Sequence, residues 1–278
     1  MEPHALDQTQ QELLNEWLGQ WEVVADHSWG LADTRVLEVE SDEGRAIVKA
    51  SGPSNVHLVR EIRAHRRWTE PWRATGQAAR LIGADEQAHL MSATFLPGRL
   101  VQGTPAQDDP ETYRQAGRLI AAFHAQYEAF DATFNDRLRE RVERFLAAPH
   151  RISPPTVQRI HAEVSEWPAG GAVVVPTHGD WAPRNWLDDQ GLLRVIDLGR
   201  CDLRVLEEDF ARLGRQDFAR DPTLEAAFFD GYGHDPRDPA TWRRVNVAEA
   251  VGTAVWAHAV GDLDFEAVGH QHLSRLYA

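Results

Sequence analysis

The chain has 278 residues, 42% hydrophobic and 26% charged, which suits one two-lobed domain or two packed subdomains with a substantial core and excludes disorder as the default. A formal net charge of −14 excludes nucleic acid and anionic membranes as partners on electrostatic grounds and would draw in a cationic ligand. The lone Cys201 excludes an internal disulfide and a cysteine-based zinc site. No apolar run approaches the roughly 20 residues of a membrane helix, and the opening Met1-Glu2-Pro3-His4 lacks the pattern of a signal peptide. The expectation is a soluble, cytoplasmic protein.

In chain order, Leu14, Trp17 and Leu18 follow helical spacing and predict a short amphipathic helix over 10–18. Residues 34–40 and 45–50 read as a hairpin around Asp42-Glu43-Gly44, with Lys49 near the end of its second strand. A helix follows over 54–68, opened by Ser54 or Asn55 as N-cap. Residues 78–82 and 88–95 read as two more strands joined at Gly83-Ala84-Asp85-Glu86. The Pro- and Gly-rich stretch 96–110 is a hinge loop. After it the pattern turns helical. Leu119, Ile120, Phe123 and Tyr127 share one face of a helix over 111–129, and further helices are predicted over 134–147 and 156–167. Short strands at 173–175 and 192–196 flank a loop. Helices over 206–213, 224–229 and 242–259 complete the chain, and no internal repeat is present.

The 29 basic residues include a single lysine, Lys49. A lysine ammonium is a compact point charge where guanidinium is a wide planar fork, and a tight phosphate site can prefer the former.

The chemistry concentrates in Thr177-His178-Gly179-Asp180-Trp181-Ala182-Pro183-Arg184-Asn185, followed by Val195-Ile196-Asp197-Leu198-Gly199. Asp180 and Asn185 share one loop, and a turn at Asp189-Gln190-Gly191 folds Asp197 back beside them. Two carboxylates and an amide oxygen then meet. Magnesium takes hard oxygen ligands, few of them from protein, and phosphoryl transfer needs a carboxylate to orient the attacking hydroxyl and take its proton.

This pattern resembles the aminoglycoside phosphotransferase and choline kinase family, which shares the protein-kinase fold. The family's catalytic loop, His-Gly-Asp-x-x-x-x-Asn followed by Ile-Asp, matches at His178, Gly179, Asp180, Asn185, Ile196 and Asp197. The resemblance implies an α+β, bilobal fold with a β-rich nucleotide lobe over 1–95 and a helical catalytic and substrate lobe over 96–278. It implies Asp180 as catalytic base, Asn185 and Asp197 as magnesium ligands, and His178 as a support for the loop backbone. It implies Lys49 paired with Glu61 on the next helix, pinning the phosphates of ATP or GTP. It places the phosphate-covering loop at 27–32, with Ser28 and Gly30 as contacts. Backbone groups around Ser92, Ala93 and Phe95 would then meet the adenine edge, with Met91 behind them. Ala182 stands where protein kinases carry a lysine, which points to small-molecule acceptors.

The family's acceptor binds against the helical lobe. Acidic clusters there include Glu207-Glu208-Asp209, Asp230, Asp235 and Asp262-x-Asp264-x-Glu266, which would suit an amine-rich acceptor. The reading is therefore a kinase phosphorylating a hydroxyl of a cationic small molecule, an aminoglycoside or basic cyclic peptide antibiotic, and so conferring resistance. The alternative is a metabolic kinase for choline, a sugar or a similar alcohol. A catalytically dead nucleotide-binding module and a hydrolase with a metal on His178 and Asp180 are weaker rivals. The first has to ignore four intact catalytic positions, and the second lacks another cluster at ligand spacing.

Overall fold

A computed structural model describes residues 6–28 and 33–278. Helix α1 (Gln8–Leu18) starts at Asp7, whose carboxylate accepts from Gln10 N–H while the Gln10 side chain accepts from Asp7 N–H. Strands β1 (Trp21–Asp26), β2 (Thr34–Ser41) and β3 (Ala46–Ser51) follow, then α2 (Val56–Arg67), α3 (Glu70–Arg73), β4 (Leu81–Asp85), β5 (Leu90–Thr94) and the short β6 (Arg99–Leu100). Helix α4 (Pro110–His124) opens on an Asp109 cap with Pro110 in its first turn. Next come β7 (Ala129–Asp131), α5 (Phe134–Ala147), α6 (Pro154–Ser165), β8 (Ala172–Thr177), β9 (Trp186–Asp189), β10 (Leu192–Val195) and β11 (Asp202–Arg204). Helices α7 (Glu207–Arg215), α8 (Asp217–Arg220), α9 (Pro222–Tyr232), α10 (Pro239–Val260) and α11 (Leu263–Leu276) close the chain. Among the described residues, no helix is long and apolar enough to cross a membrane.

The chain gathers into two compact units. The first contains residues 1–126, 178–202 and 226–233. Its main sheet is antiparallel, in the order β1-β2-β3-β5-β4. One face buries Leu37, Val39, Val48 and Leu90 against Leu14 and Leu18 of α1. Met91 and Ala93 pack instead with Leu58 and Ile62 of α2. A small sheet in the order β10-β9-β6 carries the loop from His178 to Asn185 on one side and Asp197 on the other. Beneath that loop, Trp72 stacks on Phe123 at 4.2 Å and on Trp181 at 5.7 Å, and Trp181 meets Trp186 edge-on at 5.4 Å. All three indoles are fully buried, so the loop rests on a rigid aromatic base.

The second unit contains residues 127–177, 203–225 and 234–278. Its core joins Leu138 and Val142 of α5, Ile160 and Val164 of α6, Val247 and Val251 of α10, and Leu273 of α11. Strands β7 and β8 pair antiparallel, with Phe130 opposite Val173.

Two expectations need correction. The strand expected at 78–82 runs over Leu81–Asp85, and the expected turn at 83–86 moves to residues 86–89. The Trp17 ring lies where a Cβ on Gly83 would sit, so this glycine serves close packing inside a strand and is not a turn former. The helix expected to reach 129 stops at His124. Its last buried residue is His124, Tyr127 is 46% exposed, and Ala129–Asp131 pairs with β8.

Candidate active site

Lys49 lies on β3 opposite Val36 of β2 and Met91 of β5, which fixes the direction of its side chain. Its ammonium donates to both oxygens of Glu61, at 2.7 and 2.9 Å. Glu61 is on α2, a helix opened by Asn55, whose side chain accepts from His57 N–H and donates to Thr34 Oγ1 at 2.7 Å. One residue thus starts the helix and ties it to β2. Asp197 Oδ1 lies 3.8 Å from the Lys49 ammonium.

The electrostatics follow from this cluster. Burial acts to lower the pKa of Lys49, but Glu61 and Asp197 together outweigh it, so the ammonium is held above its ordinary range. Burial raises the Glu61 carboxyl, against the pull of Lys49. Lys49 in turn holds the Asp197 carboxyl below its usual range, against burial and the like charge of Asp180. Asp197 is half-exposed and has a φ of 63°, a left-handed conformation that side chains other than glycine rarely adopt.

The loop before it is held by its own polar groups. The buried His178 donates from Nε2 to Ile196 O at 3.1 Å, joining the loop to the residue before Asp197. Ile196 N–H donates to Asn185 O at 3.0 Å. The Asn185 amide donates to Asp180 O at 2.8 Å and to Asp180 Oδ2 at 3.0 Å. Both contacts use the amide nitrogen and direct the Asn185 oxygen elsewhere. Arg184 also donates to Asp180 Oδ2, at 2.5 Å.

The donor set fits magnesium: an amide oxygen at Asn185 whose nitrogen is already engaged, and a carboxylate at Asp197 kept ionised by Lys49. Among the described residues, no group of three or more His, Cys, Asp or Glu is arranged to hold a metal ion. A two-ligand protein share suits an ion that takes its other oxygens from phosphates and water.

The remaining expected contacts separate. Ser28 is the last residue described of the 27–32 loop before residue 33, and its hydroxyl accepts from Val36 N–H at 3.0 Å. Gly30 lies outside the described residues. Ser92 and Ala93 are inside β5, paired with Val48 and Ile47 of β3 on one side and with Gly83 and Leu81 of β4 on the other. Phe95 follows the strand and donates its N–H to Arg45 O.

Three contributors escaped the sequence reading. His57 donates from Nδ1 to Gly199 O at 3.0 Å, so α2 grips the backbone after Asp197 as well as Lys49. Trp72 supports His178 and Trp181 from far away in the chain. Arg184 alone left a signal, a cation inside the 178–185 loop directly before Asn185.

A sequence profile of the phosphotransferase enzyme family, APH, matches residues 25–246. The chain belongs to this family. The APH phosphotransferase also resembles solved structures over nearly its whole length. Against the macrolide 2'-phosphotransferase MphH from Brachybacterium faecium, the identity is 17% and the TM-score 0.60, covering 96% of this chain and 97% of that one. Against aminoglycoside phosphotransferase APH(4)-Ia the identity is 12% and the TM-score 0.71, covering 96% of each chain. Against choline kinase LicA from Streptococcus pneumoniae the identity is 14% and the TM-score 0.65, again covering 96% of each. No curated protein matches by sequence. The α+β kinase-like fold and the class, a small-molecule phosphotransferase, thus agree with the sequence reading.

Proposed function

We propose that this phosphotransferase moves the terminal phosphoryl of ATP, or GTP, to a hydroxyl of a cationic small molecule, an aminoglycoside or basic cyclic peptide antibiotic, and so inactivates it. The observation that carries the reading is the convergence of Lys49, Glu61, Asp180, Asn185 and Asp197 in one unit of an APH-family chain. Structures of APH(4)-Ia with ADP or AMP-PNP and hygromycin B support a nucleotide and a small-molecule acceptor on this fold. The net charge of −14 supports a cationic acceptor. The structural likeness to choline kinase LicA supports a second reading, a metabolic alcohol as acceptor.

In this reading Lys49, steadied by Glu61, binds the α- and β-phosphates. Asn185 and Asp197 hold magnesium, which when bound neutralises charge on the phosphate oxygens. Asp180 orients the acceptor hydroxyl and takes its proton. The hydroxyl oxygen forms the new bond to the terminal phosphorus. The bond from that phosphorus to the bridging oxygen breaks, and its electron pair leaves with the diphosphate. Ser28, Gly30 and the segment from Ser92 to Phe95 are assigned to the nucleotide. The functional lobes 1–95 and 96–278 belong to the same proposal.

A panel of cationic antibiotics and metabolite alcohols, incubated with ATP and magnesium, tests the acceptor through the mass gain of one phosphate. Turnover confined to metabolite alcohols would overturn the antibiotic assignment. Asp180→Ala is expected to lower transfer by about 10²- to 10⁴-fold while ADP still binds. Retained transfer would remove Asp180 as the base.

A further inference from the structure

Phosphoryl transfer places negative charge on three oxygens around the moving phosphorus, and enzymes of this kind meet it with cations. Lys49 is committed to Glu61 and Asp197. The position two residues after the base, Ala182, offers no charge. Arg184 is a cation within the loop itself. Its Nη2 donates to Asp180 Oδ2 at 2.5 Å, and no second partner is found for it among the described residues. A guanidinium has five N–H donors in a planar fork. One is engaged with Asp180, and the Arg184 side chain remains 40% exposed beside an Asp180 side chain that is only 6% exposed.

The location of this head group limits what it can meet. A hydroxyl poised for deprotonation lies about 3 Å from the base, and its oxygen lies about 3–3.5 Å from the phosphorus it attacks. The transferring group therefore comes within about 6 Å of the Asp180 carboxylate. A fork that holds Asp180 by one nitrogen can hold a phosphoryl oxygen by another, because its five donors are fixed in one plane and point along more than one edge.

We propose that Arg184 is a catalytic residue that binds the transferring phosphoryl group, supplying from inside the loop the charge that Ala182 lacks. A surface arginine paired to an exposed carboxylate would contribute little. Here the partner is the buried Asp180, and the Arg184 side chain is 40% exposed. The inference rests on the nucleotide reading above.

The test compares ADP with AMP-PNP, each with magnesium, binding by calorimetry to full-length wild type, Arg184→Ala and Arg184→Lys. ADP lacks the group that Arg184 is assigned to hold. Arg184→Ala is expected to weaken AMP-PNP at least about tenfold and to leave ADP within about twofold, with partial recovery in Arg184→Lys. Retained ADP affinity also shows that the variant is folded. Equal weakening of both nucleotides, or of neither, would overturn the proposal and leave Arg184 as an orienting partner of the base. Wild-type protein that binds neither nucleotide would instead overturn the reading on which it rests.

Discussion

His65 lies on α2, one turn beyond Glu61. Its pKa is lowered from 6.5 to about 4, first by burial and then by the charges of Lys49 and Arg73. The sign of the consequence is fixed. Below pH 6.5 the unfolded chain binds a proton at this residue, whereas the folded protein refuses it until about pH 4. Stability is therefore level above pH 6.5, falls as the pH drops toward 4, and flattens below. For His65 the loss reaches about 2 kcal/mol by pH 5. His272 in the second unit, also lowered to about 4 chiefly by burial, adds a loss of the same sign. Urea unfolding from pH 7.5 to 4 should show a shallower loss for His65→Gln than for wild type. Identical slopes would mean that His65 is protonated in the folded protein.

Among the elements, α4 and α9 meet at a glycine. A Cβ on Gly117 would come within 2.0 Å of Phe228 O and 2.8 Å of Tyr232 N, both backbone atoms that cannot rotate away. Helix propensity alone favours Gly117→Ala by about 1 kcal/mol. The clash is expected to exceed that gain, lowering stability by about 2 kcal/mol and separating the two helices. A Gly117→Ala variant that unfolds at a higher urea midpoint would show that α9 can shift without loss. Helix α2 illustrates the opposite arrangement. Asn55 caps it, Glu61 meets Lys49, and His57 meets Gly199, so a single helix aligns β3 with the backbone after Asp197.

At the scale of the molecule, Lys49, Glu61, Asp180, Asn185 and Asp197 all belong to the first unit, although the chain leaves that unit and returns between Gln126 and His178. Nucleotide binding should stabilise that unit by mass action. Hydrogen exchange with saturating ADP and magnesium is expected to slow amides in β3, α2 and residues 178–199, with α5 and α6 unchanged. Protection confined to α5 and α6 would displace the nucleotide site.

Sequence alone determined the kinase-like class and the paired features of this site. The spacing His178-Gly179-Asp180, Asn185 and Asp197 is local, set by one loop and one hairpin, and the lone lysine needed no coordinates to be noticed. The α1, β2, β3 and α2 elements were legible because hydrophobic periodicity and caps act over a few residues. The end of α4 and the position of β4 were not, because residues 129–131 and Gly83 take their roles from distant partners, a strand at 172–177 and the ring of Trp17. Only the tertiary structure decided that Arg184 folds back onto Asp180, that His57 holds Gly199, and that Trp72 lies beneath Trp181. Side-chain direction on a short irregular loop, and contacts between residues far apart in sequence, are set by packing and leave no periodic trace in the order of amino acids.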